Sequence, residues 1–383
     1  MKGETVSSGF RFTRKEISGS LGDLGTFLPL TLGYITQAGL SPAPVFFFAG
    51  LWNVVTGILF RLPVPVQPMK AIAAVAIAEG MTPGEVAAAG LLLGGIVFLI
   101  GIVPGAGRLL SLAPKPVVRG IQLGVGLKLL MTGVGGMLPL PLIGWDSLLI
   151  GGIAVSLIVL SYFRQKVPAA LILFLFGFFL LGASKPWLFG NLNLQAWIPE
   201  VIIPSPADWW GGFTKGAVAQ LPLTLLNSVV AVCALSGDLF PGRKIPEAKM
   251  ARSVGVMNLI SCWFGGMPVC HGAGGLAGQY HFGARTGGSV VFLGGMKMGI
   301  GVAAATALLF PLRNFPHSIL GSLLLFAGLE LSLPAWDLPG REDLLVALLT
   351  AGLILSVNVT IGFLVGILFW GIFRGMKNGR PSG

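Results

Sequence analysis

Long apolar runs alternate with short polar breaks along almost the whole chain, a pattern that indicates membrane-spanning helices. A helix needs about 20 mainly apolar residues to cross a bilayer, and most of these runs approach that length. The first set of runs lies at 18–38, 43–62, 68–80, 85–103, 116–135, 145–163 and 167–183. The second set lies at 213–235, 251–267, 272–284, 288–312, 315–331, 342–357 and 358–375. We therefore predict an all-α integral membrane protein with fourteen segments, seven in each set.

The positions of Lys and Arg give an independent test, because the cytoplasmic ends of spans carry more basic residues. With the N-terminus inside, the predicted outer segments hold only Lys185, Lys215 and Arg313. Four further basic residues fall within or at the edge of spans: Arg61, Lys70, Lys128 and Lys297. All other basic residues lie in predicted cytoplasmic segments. We therefore predict a multi-pass protein of the cell membrane with both termini in the cytoplasm, and the N-terminal segment 1–17 lacks the features of a cleaved signal.

Composition and charge remove several other classes of protein. Of 383 residues, 54% are apolar and 10% are charged, against roughly 25% charged residues in soluble domains. The net charge of +11 comes from residues at span ends without interleaved base-stacking aromatics, which argues against a nucleic-acid partner. Three cysteines in apolar sequence give no disulfide framework. Three histidines without ligand spacing indicate no metal site, and no catalytic motif or cofactor site is predicted.

The chain resembles itself across the connector at 184–212, which separates the two sets and is rich in Trp and Pro. The sequence LPLTL occurs at 28–32 and at 221–225, and GLWNVVTGILFRLPV at 50–64 aligns with GVMNLISCWFGGMPV at 255–269. Since seven spans is an odd number, a second repeat enters the membrane with the opposite orientation. Chance alignment of apolar sequence is the alternative, but the order and spacing of the matches favour an inverted repeat.

The runs at 68–80 and 272–284 are too short to cross a bilayer, and each follows a stretch broken by Pro. Short, interrupted segments at corresponding positions of two repeats are typical of a transporter binding site. The start of a helix carries free N–H groups and about half a positive charge, so it favours an anion. We therefore predict two half-helices, spans 3 and 10, whose starts meet at the midplane around an anion.

Candidate binding residues cluster at these two starts. Gln67 and His271 precede the short runs and could donate hydrogen bonds, while Lys70 lies in the first turn of span 3. Lys70 could pair with a bound anion, pair with Asp23 or extend to an interface, and His271 could equally be a structural histidine. The glycines at the second start would let a ligand approach the backbone, although tight helix packing explains them too: Gly272, Gly274 and Gly275.

Two further groups of polar residues lie on neighbouring spans. Gln220, Thr224 and Asn227 in span 8 follow a spacing of four and then three, which puts them on one helix face. They could line the site or act as hydrogen-bonding glue between helices. Asp23 in span 1 could relay a proton, pair with Lys70 or cap a helix, and Thr26 could line the site. Spans 8 and 10 contain no carboxylate, which favours an anionic over a cationic substrate.

Three stretches resemble the motifs of a known family. PVQPMKAIAA at 65–74 and FGGMPVCHGAGGLAGQYHFGARTG at 264–287 resemble the two signature motifs of the molybdate transporter family related to sulfate permeases, and GDLGTFLPL at 22–30 fits as well. The resemblance implies molybdate as the substrate, bound by Gln67, Lys70 and His271 with the neighbouring amides. Those neighbours are Met69, Ala71, Cys270 and Ala273.

The same resemblance implies a division of the fold into a moving core and a gate. The core would comprise 18–112 and 213–312, and the gate 113–183 and 313–376. The core would move like an elevator against the gate. We thus expect a secondary transporter for a tetrahedral oxyanion, with sulfate or another oxyanion, or an anion channel on the same fold, as alternatives. Its partners would be molybdate or sulfate and the lipid bilayer, and a homodimer is left open.

Overall fold

Helices make up most of the computed structural model, which describes residues 9–103, 114–164, 169–190, 198–303 and 305–378. In the first half the helices are α1 (Arg14–Ser20), α2 (Leu24–Thr36), α3 (Pro42–Phe60), α4 (Lys70–Glu79), α5 (Pro83–Ile102), α6 (Lys115–Met137), α7 (Leu148–Arg164), α8 (Ala169–Ser184) and α9 (Trp187–Gly190). In the second half they are α10 (Pro206–Leu239), α11 (Glu247–Ser261), α12 (Ala273–His281), α13 (Gly288–Ala303), α14 (Ala305–Arg313), α15 (His317–Ser332), α16 (Arg341–Ser356) and α17 (Val359–Asn378).

Every predicted apolar run contains a helix, and the nearly all-helical membrane fold is confirmed. Within the described residues, six helical segments are long and apolar enough to cross a membrane by length and composition. They are Pro42–Phe60, Pro83–Ile102, Lys115–Met137, Pro206–Leu239, His317–Asp337 and Val359–Met376. The crossing of the membrane by all fourteen runs stays a prediction.

The predicted connector at 184–212 ends earlier than expected, because α10 already begins at Pro206. The hydroxyl of Ser205 accepts from the amide of Asp208 at 3.2 Å, and the Asp208 carboxylate accepts from the amide of Ser205 at 2.9 Å. This reciprocal cap, with Pro206 in the first turn, is a strong start signal for a helix. Residues 191–197 of the connector, 1–8 of the N-terminal segment and the predicted core–gate boundary at 112 lie outside the described residues.

The first predicted span is interrupted by a short turn beside α12. A 3₁₀ turn at Leu21–Asp23 separates α1 from α2. At Gly22 an added Cβ would lie 2.6 Å from the carbonyl oxygen of Gly278, so only glycine allows this approach. The turn therefore brings Asp23 beside the start of α12.

The two Pro-broken stretches cross as a pair of short antiparallel strands, which the all-α prediction did not include. Strand β1 (Gln67–Pro68) pairs with β2 (Val269–Cys270), with Gln67 opposite Cys270. The side chain of Asn258 holds β2, since it accepts from the amide of Val269 at 2.8 Å and donates to its carbonyl at 2.7 Å. Helices α4 and α12, which follow these strands, consequently begin close together.

Helices of the two halves pack in matched pairs. Helix α3 packs against α13 while α5 packs against α11, and α2 packs against α4 while α10 packs against α12. Glycines permit the closest of these approaches: a Cβ on Gly50 would lie 2.5 Å from the carbonyl oxygen of Gly294, and the reverse distance is 2.6 Å. Such mutual contacts are typical of small residues between membrane helices. Each pairing therefore has a counterpart in which the two halves are exchanged.

Candidate anion-binding cavity

A cavity of about 220 Å³ lies where α4 and α12 begin. Its first wall comes from the α1–α2 turn, α2, α4 and α12, and its second wall comes from α6 and α15. The lining residues are Gly22, Gly25, Thr26, Leu30, Lys70, Gly274 and Gly275 on the first wall and Leu129, Phe326, Ala327, Glu330 and Leu331 on the second. The predicted residues Thr26, Lys70, Gly274 and Gly275 thus meet in one cavity.

The start of α12 has free backbone amides, and two residues of this turn, Gly274 and Gly275, line the cavity. The first amide bonded within the helix is that of Leu276, which donates to the carbonyl of Gly272 at 3.0 Å. Within the described part of the chain, the amides of Ala273, Gly274 and Gly275 have no acceptor. An added Cβ at Gly274 would meet nothing within 4 Å, so this turn borders open space. The positive end of α12 is therefore exposed to whatever occupies the cavity.

The start of α4 is already capped by a side chain of α10. The carbonyl oxygen of the Gln220 side chain accepts from the amide of Ala71 at 2.7 Å and from that of Ile72 at 3.4 Å. Its amide group donates to the hydroxyl of Thr224 at 3.0 Å. Gln220, Thr224 and the Ala71 amide are therefore occupied with each other and do not line the cavity. What α4 contributes to the cavity is the side chain of Lys70.

A buried polar network supports the cavity from behind. The Gln67 side-chain amide donates to the Asp23 carboxylate, whose other oxygen lies 4.0 Å from the ammonium of Lys297. Lys297 also donates to the side chain of Asn53 at 3.0 Å, and its ammonium lies 3.5 Å from the centre of the Phe27 ring. At this distance the ion pair is not a hydrogen bond, and the second Asp23 oxygen accepts none from the described residues. The Asn53 contact and the Phe27 ring therefore help to stabilise the buried ammonium of Lys297.

In this network Asp23 and Gln67 have other partners than those the sequence suggested. The ion pair of Asp23 is with Lys297 rather than Lys70, and the Asp23 side chain makes no capping bond to α2. Gln67 donates to Asp23 instead of facing the cavity. The apolar pattern placed Lys297 within span 11 but carried no information about which helix it would face.

Two of the three predicted glycines make room for this network. A Cβ on Gly272 would lie 1.9 Å from the side-chain oxygen of Gln67, and one on Gly275 would lie 2.6 Å from the Asp23 carboxylate. These positions therefore require glycine to let side chains pack against the backbone. Only Gly274 has the open surroundings that the sequence suggested for a ligand approach.

His271 belongs to the packing of the strands and does not line the cavity. One ring nitrogen lies 2.9 Å from the carbonyl oxygen of Pro65, and the other lies 3.0 Å from the hydroxyl of Ser253. The ring is fully buried and meets Phe60 edge-on. Of the two roles that the sequence left open, this geometry favours the structural histidine. Met69 and Cys270 are likewise buried and do not line the cavity.

Asn227 does not take part in the helix cap that Gln220 and Thr224 form, although the sequence spacing predicted one shared face. Helix α10 is π-helical over Gly212–Ala217 and Thr224–Val230. A wider π-turn shifts every following side chain, so a spacing derived from 3.6 residues per turn does not hold across it. Asn227 is half-buried and is not part of the cavity wall.

Glu330 is the functional candidate that the sequence reasoning missed. Its carboxylate lines the same cavity as Lys70, from the opposite wall. Among the residues that the structure describes, neither charge makes a hydrogen bond or a close salt bridge, although Lys70 and Glu330 attract each other across the cavity. A lone acid in the apolar stretch LLLFAGLELSL was the available signal, because such a group is costly inside a membrane.

Sequence similarity to known proteins extends over both halves of the chain. Residues 15–129 and 212–331 match the family described as "Molybdate transporter of MFS superfamily". "Molybdate transporter 1" of Arabidopsis thaliana is 39% identical over 97% of this chain and 91% of its own length. The chain belongs to this molybdate transporter family. "Molybdate transporter 1" of Chlamydomonas reinhardtii is 32% identical over 94% of the chain and 91% of its own length.

Solved structures add the fold of this transporter. "The overall structure of SLC26A9" matches 95% of this chain and 65% of that one, just under two thirds, with a TM-score of 0.68 and 14% identity. "The transmembrane domain of a cyanobacterium bicarbonate transporter BicA" matches 94% of this chain and 99% of that one, with a TM-score of 0.65 and 14% identity. At these identities the likeness concerns the fold alone.

Family membership and fold together confirm two expectations from the motifs. The resemblance to the molybdate transporter family is correct, and the chain belongs to a family of membrane transporters, not of enzymes. The motif residues at 65–74 and 264–287 are the ones that form the crossing strands and the two helix starts. The motifs therefore contribute Lys70, Gly274 and Gly275 to the wall of the cavity.

Proposed function

We propose that this transporter carries a tetrahedral oxyanion, with molybdate as the leading substrate, and binds it in the cavity between α4, α12 and α15. The observation that carries this proposal is the convergence of the Lys70 side chain and the free amides of α12 on one cavity. An ammonium supplies one positive charge and a helix start supplies about half of one. A dianion with four acceptor oxygens matches both kinds of donor.

The size of the cavity agrees with a small anion. Its volume of about 220 Å³ is below the roughly 300–1,000 Å³ of pockets for drug-sized ligands. The curated relatives are named as molybdate transporters, which favours molybdate among the oxyanions. Sulfate is the alternative, because it is also a tetrahedral dianion and would use the same donors.

We further propose that α4 and α12 are half-helices meeting at the midplane of a fourteen-span fold with two inverted repeats of seven. The matched packing of α3 with α13 and of α5 with α11 supports the repeat. The contact of β1 with β2 supports the meeting of the two helix starts. Alternating access would then involve one body moving against another around the site.

The walls of the cavity support an elevator with the predicted core and gate. The first wall belongs to the predicted core at 18–112 and 213–312, and the second wall comes from α6 and α15 of the predicted gate at 113–183 and 313–376. Movement of the core past the gate would carry Lys70 and its anion from one side to the other.

We place the termini in the cytoplasm from the distribution of basic residues. A homodimer is a further proposal, which light scattering on the purified protein tests.

Uptake of labelled molybdate into proteoliposomes tests the transport proposal. We expect saturable uptake that unlabelled molybdate inhibits, with inhibition by excess sulfate reporting the selectivity. Uptake of neither anion would contradict the proposal. Steady single-channel currents without saturation would favour the anion channel instead of the carrier.

A further inference from the structure

A second cavity opens between α3 and α11, on the outer surface of the helix bundle and away from the anion site. Its volume is about 360 Å³. The lining residues include Trp52, Val55, Leu59, Lys249, Arg252 and Val256. We call it the α3–α11 groove. No carboxylate lines it, although two cations do.

The groove has a polar end and an apolar end. Lys249 lies in the first turn of α11 beside Leu59 at the end of α3, and its ammonium is 3.4 Å from the Leu59 carbonyl oxygen. Trp52 lies seven residues before Leu59, which is about 10 Å deeper along the helix at 1.5 Å per residue. Val55 and Leu59 on its wall are 36% and 45% exposed. The cations therefore sit at the mouth and the apolar wall runs inward.

The cations of the groove retain donors that no protein group uses. In Arg252 the Nε atom donates to the carbonyl of Ala248 at 3.3 Å, and no other described residue accepts from its guanidinium. The Lys249 ammonium makes its 3.4 Å contact with Leu59 and lies 5.4 Å from the centre of the Phe60 ring. Arg and Lys with free donors are suited to phosphate oxygens.

We propose that the α3–α11 groove binds an anionic phospholipid, with its phosphodiester headgroup on Lys249 and Arg252 and an acyl chain along Val55, Trp52 and Val256. Charge complementarity and the polar-to-apolar direction of the groove match a lipid in a leaflet. A free phosphate ion would use the cations but leave the apolar wall uncovered. The proposal concerns the bilayer-facing surface and does not depend on the substrate of the transporter.

The groove is connected to the strands that support the anion site. Ser253 also lines it, and its hydroxyl lies 3.0 Å from one ring nitrogen of His271, whose other nitrogen contacts the carbonyl of Pro65. A lipid bound there would hold α11 against the segment that leads into β1. We therefore expect the bound lipid to raise the thermal stability of the protein.

Native mass spectrometry of the delipidated full-length protein tests the proposal with added phosphatidylglycerol or phosphatidylcholine. We expect wild type to retain phosphatidylglycerol selectively, and the double variant Lys249→Gln/Arg252→Gln to bind it roughly 10- to 30-fold more weakly. The double variant Lys244→Gln/Arg341→Gln is the matched control, because it also removes two positive charges but leaves the groove intact. It should retain phosphatidylglycerol like wild type.

A second variant separates the lipid from a small anion. Val55→Trp fills the exposed apolar wall while leaving both cations, and it should reduce phosphatidylglycerol retention as well. In thermal unfolding, phosphatidylglycerol should raise the midpoint of wild type but not of Val55→Trp, and inorganic phosphate should leave wild type unchanged. Equal retention by wild type and the groove variants, equal retention of phosphatidylcholine, or the same stabilisation by inorganic phosphate would each overturn the proposal.

Discussion

The helices α4 and α12 each begin just after one of the two paired strands, but their starts present different groups to the cavity. At α4 the first amides donate to Gln220, and the helix contributes the side chain of Lys70. At α12 no side chain caps the helix within the described residues, and three backbone amides stay free. One half thus supplies a flexible charge and the other supplies fixed donors.

The electrostatics of two adjacent helix starts explain this difference. Each start carries about half a positive charge, so two uncapped starts side by side would repel each other when no anion is bound. The side-chain oxygen of Gln220 satisfies the amides of α4 and reduces that repulsion. Lys70 restores a positive charge on a side chain that can move with the ligand.

Removal of the flexible charge should have the largest effect on binding. We expect Lys70→Ala to weaken molybdate binding roughly 10- to 100-fold, because a hydrogen bond to a charged group contributes about 1.5–3 kcal/mol. Lys128→Ala is the control, since Lys128 pairs with Glu79 and does not line the cavity. Calorimetry on the purified proteins measures both affinities. Equal affinities of the two variants would refute the role of Lys70.

Removal of one fixed donor should have the next largest effect. Ala273→Pro deletes an N–H at the first position of α12, where proline suits the helix and the preceding Gly272 is extended. The lost bond joins a neutral donor to a charged acceptor and contributes about 1.5 kcal/mol, which predicts roughly tenfold weaker binding. Thermal unfolding should be unchanged within a few degrees. Unaltered affinity with intact folding would mean that α12 does not bind the anion through its amides.

A substitution on the opposite wall of the cavity should raise the affinity for molybdate instead of lowering it. We expect Glu330→Gln to strengthen molybdate binding about three- to tenfold. The substitution removes a negative charge that repels the anion, and such a repulsion in a partly solvated site costs roughly 1 kcal/mol. Glu247→Gln, on α11 and outside the cavity, should leave the affinity unchanged. Weaker binding by Glu330→Gln in the same calorimetric titration would show that the carboxylate assists the anion.

The cap of α4 should affect stability more than binding. Gln220→Ala leaves the buried amide of Ala71 without an acceptor, which costs about 1–3 kcal/mol of the free energy of unfolding. Because Gln220 does not line the cavity, the affinity for molybdate should change less than about twofold. Thermal unfolding and calorimetry on the same preparation separate the two effects. A large loss of affinity in a fully stable variant would show that Gln220 takes part in binding the anion.

Apolar runs and breaks predicted the helices well, because the bilayer imposes a length and a polarity on every spanning segment. The short runs at 68–80 and 272–284 likewise correspond to α4 and α12, whose Pro-broken approaches became β1 and β2. Lys70 and Gly274 could be placed at the cavity from their positions at those starts. The start of α10 at Pro206 could have been predicted from the capping pattern of Ser205 and Asp208.

The pairing of polar side chains could not be predicted from spacing. Asp23 pairs with Lys297, which is distant in sequence, and the apolar pattern of α13 did not show which helix Lys297 would face. Gln220 was expected to line the site but caps α4, since its direction depends on how α10 is wound and packed. His271 has both nitrogens occupied by groups that only the tertiary structure brings near. Such partners are set by packing between helices, which a single sequence does not encode locally.

The most direct test of the proposed site is the position of molybdenum, by its anomalous scattering, in crystals of the transporter grown with molybdate. The account predicts one peak between Lys70 and the start of α12, with molybdate oxygens about 2.7–3.2 Å from the ammonium and from the amides of residues 273–275. A peak beside His271, or one on the far side of the Gln220 cap, would contradict it.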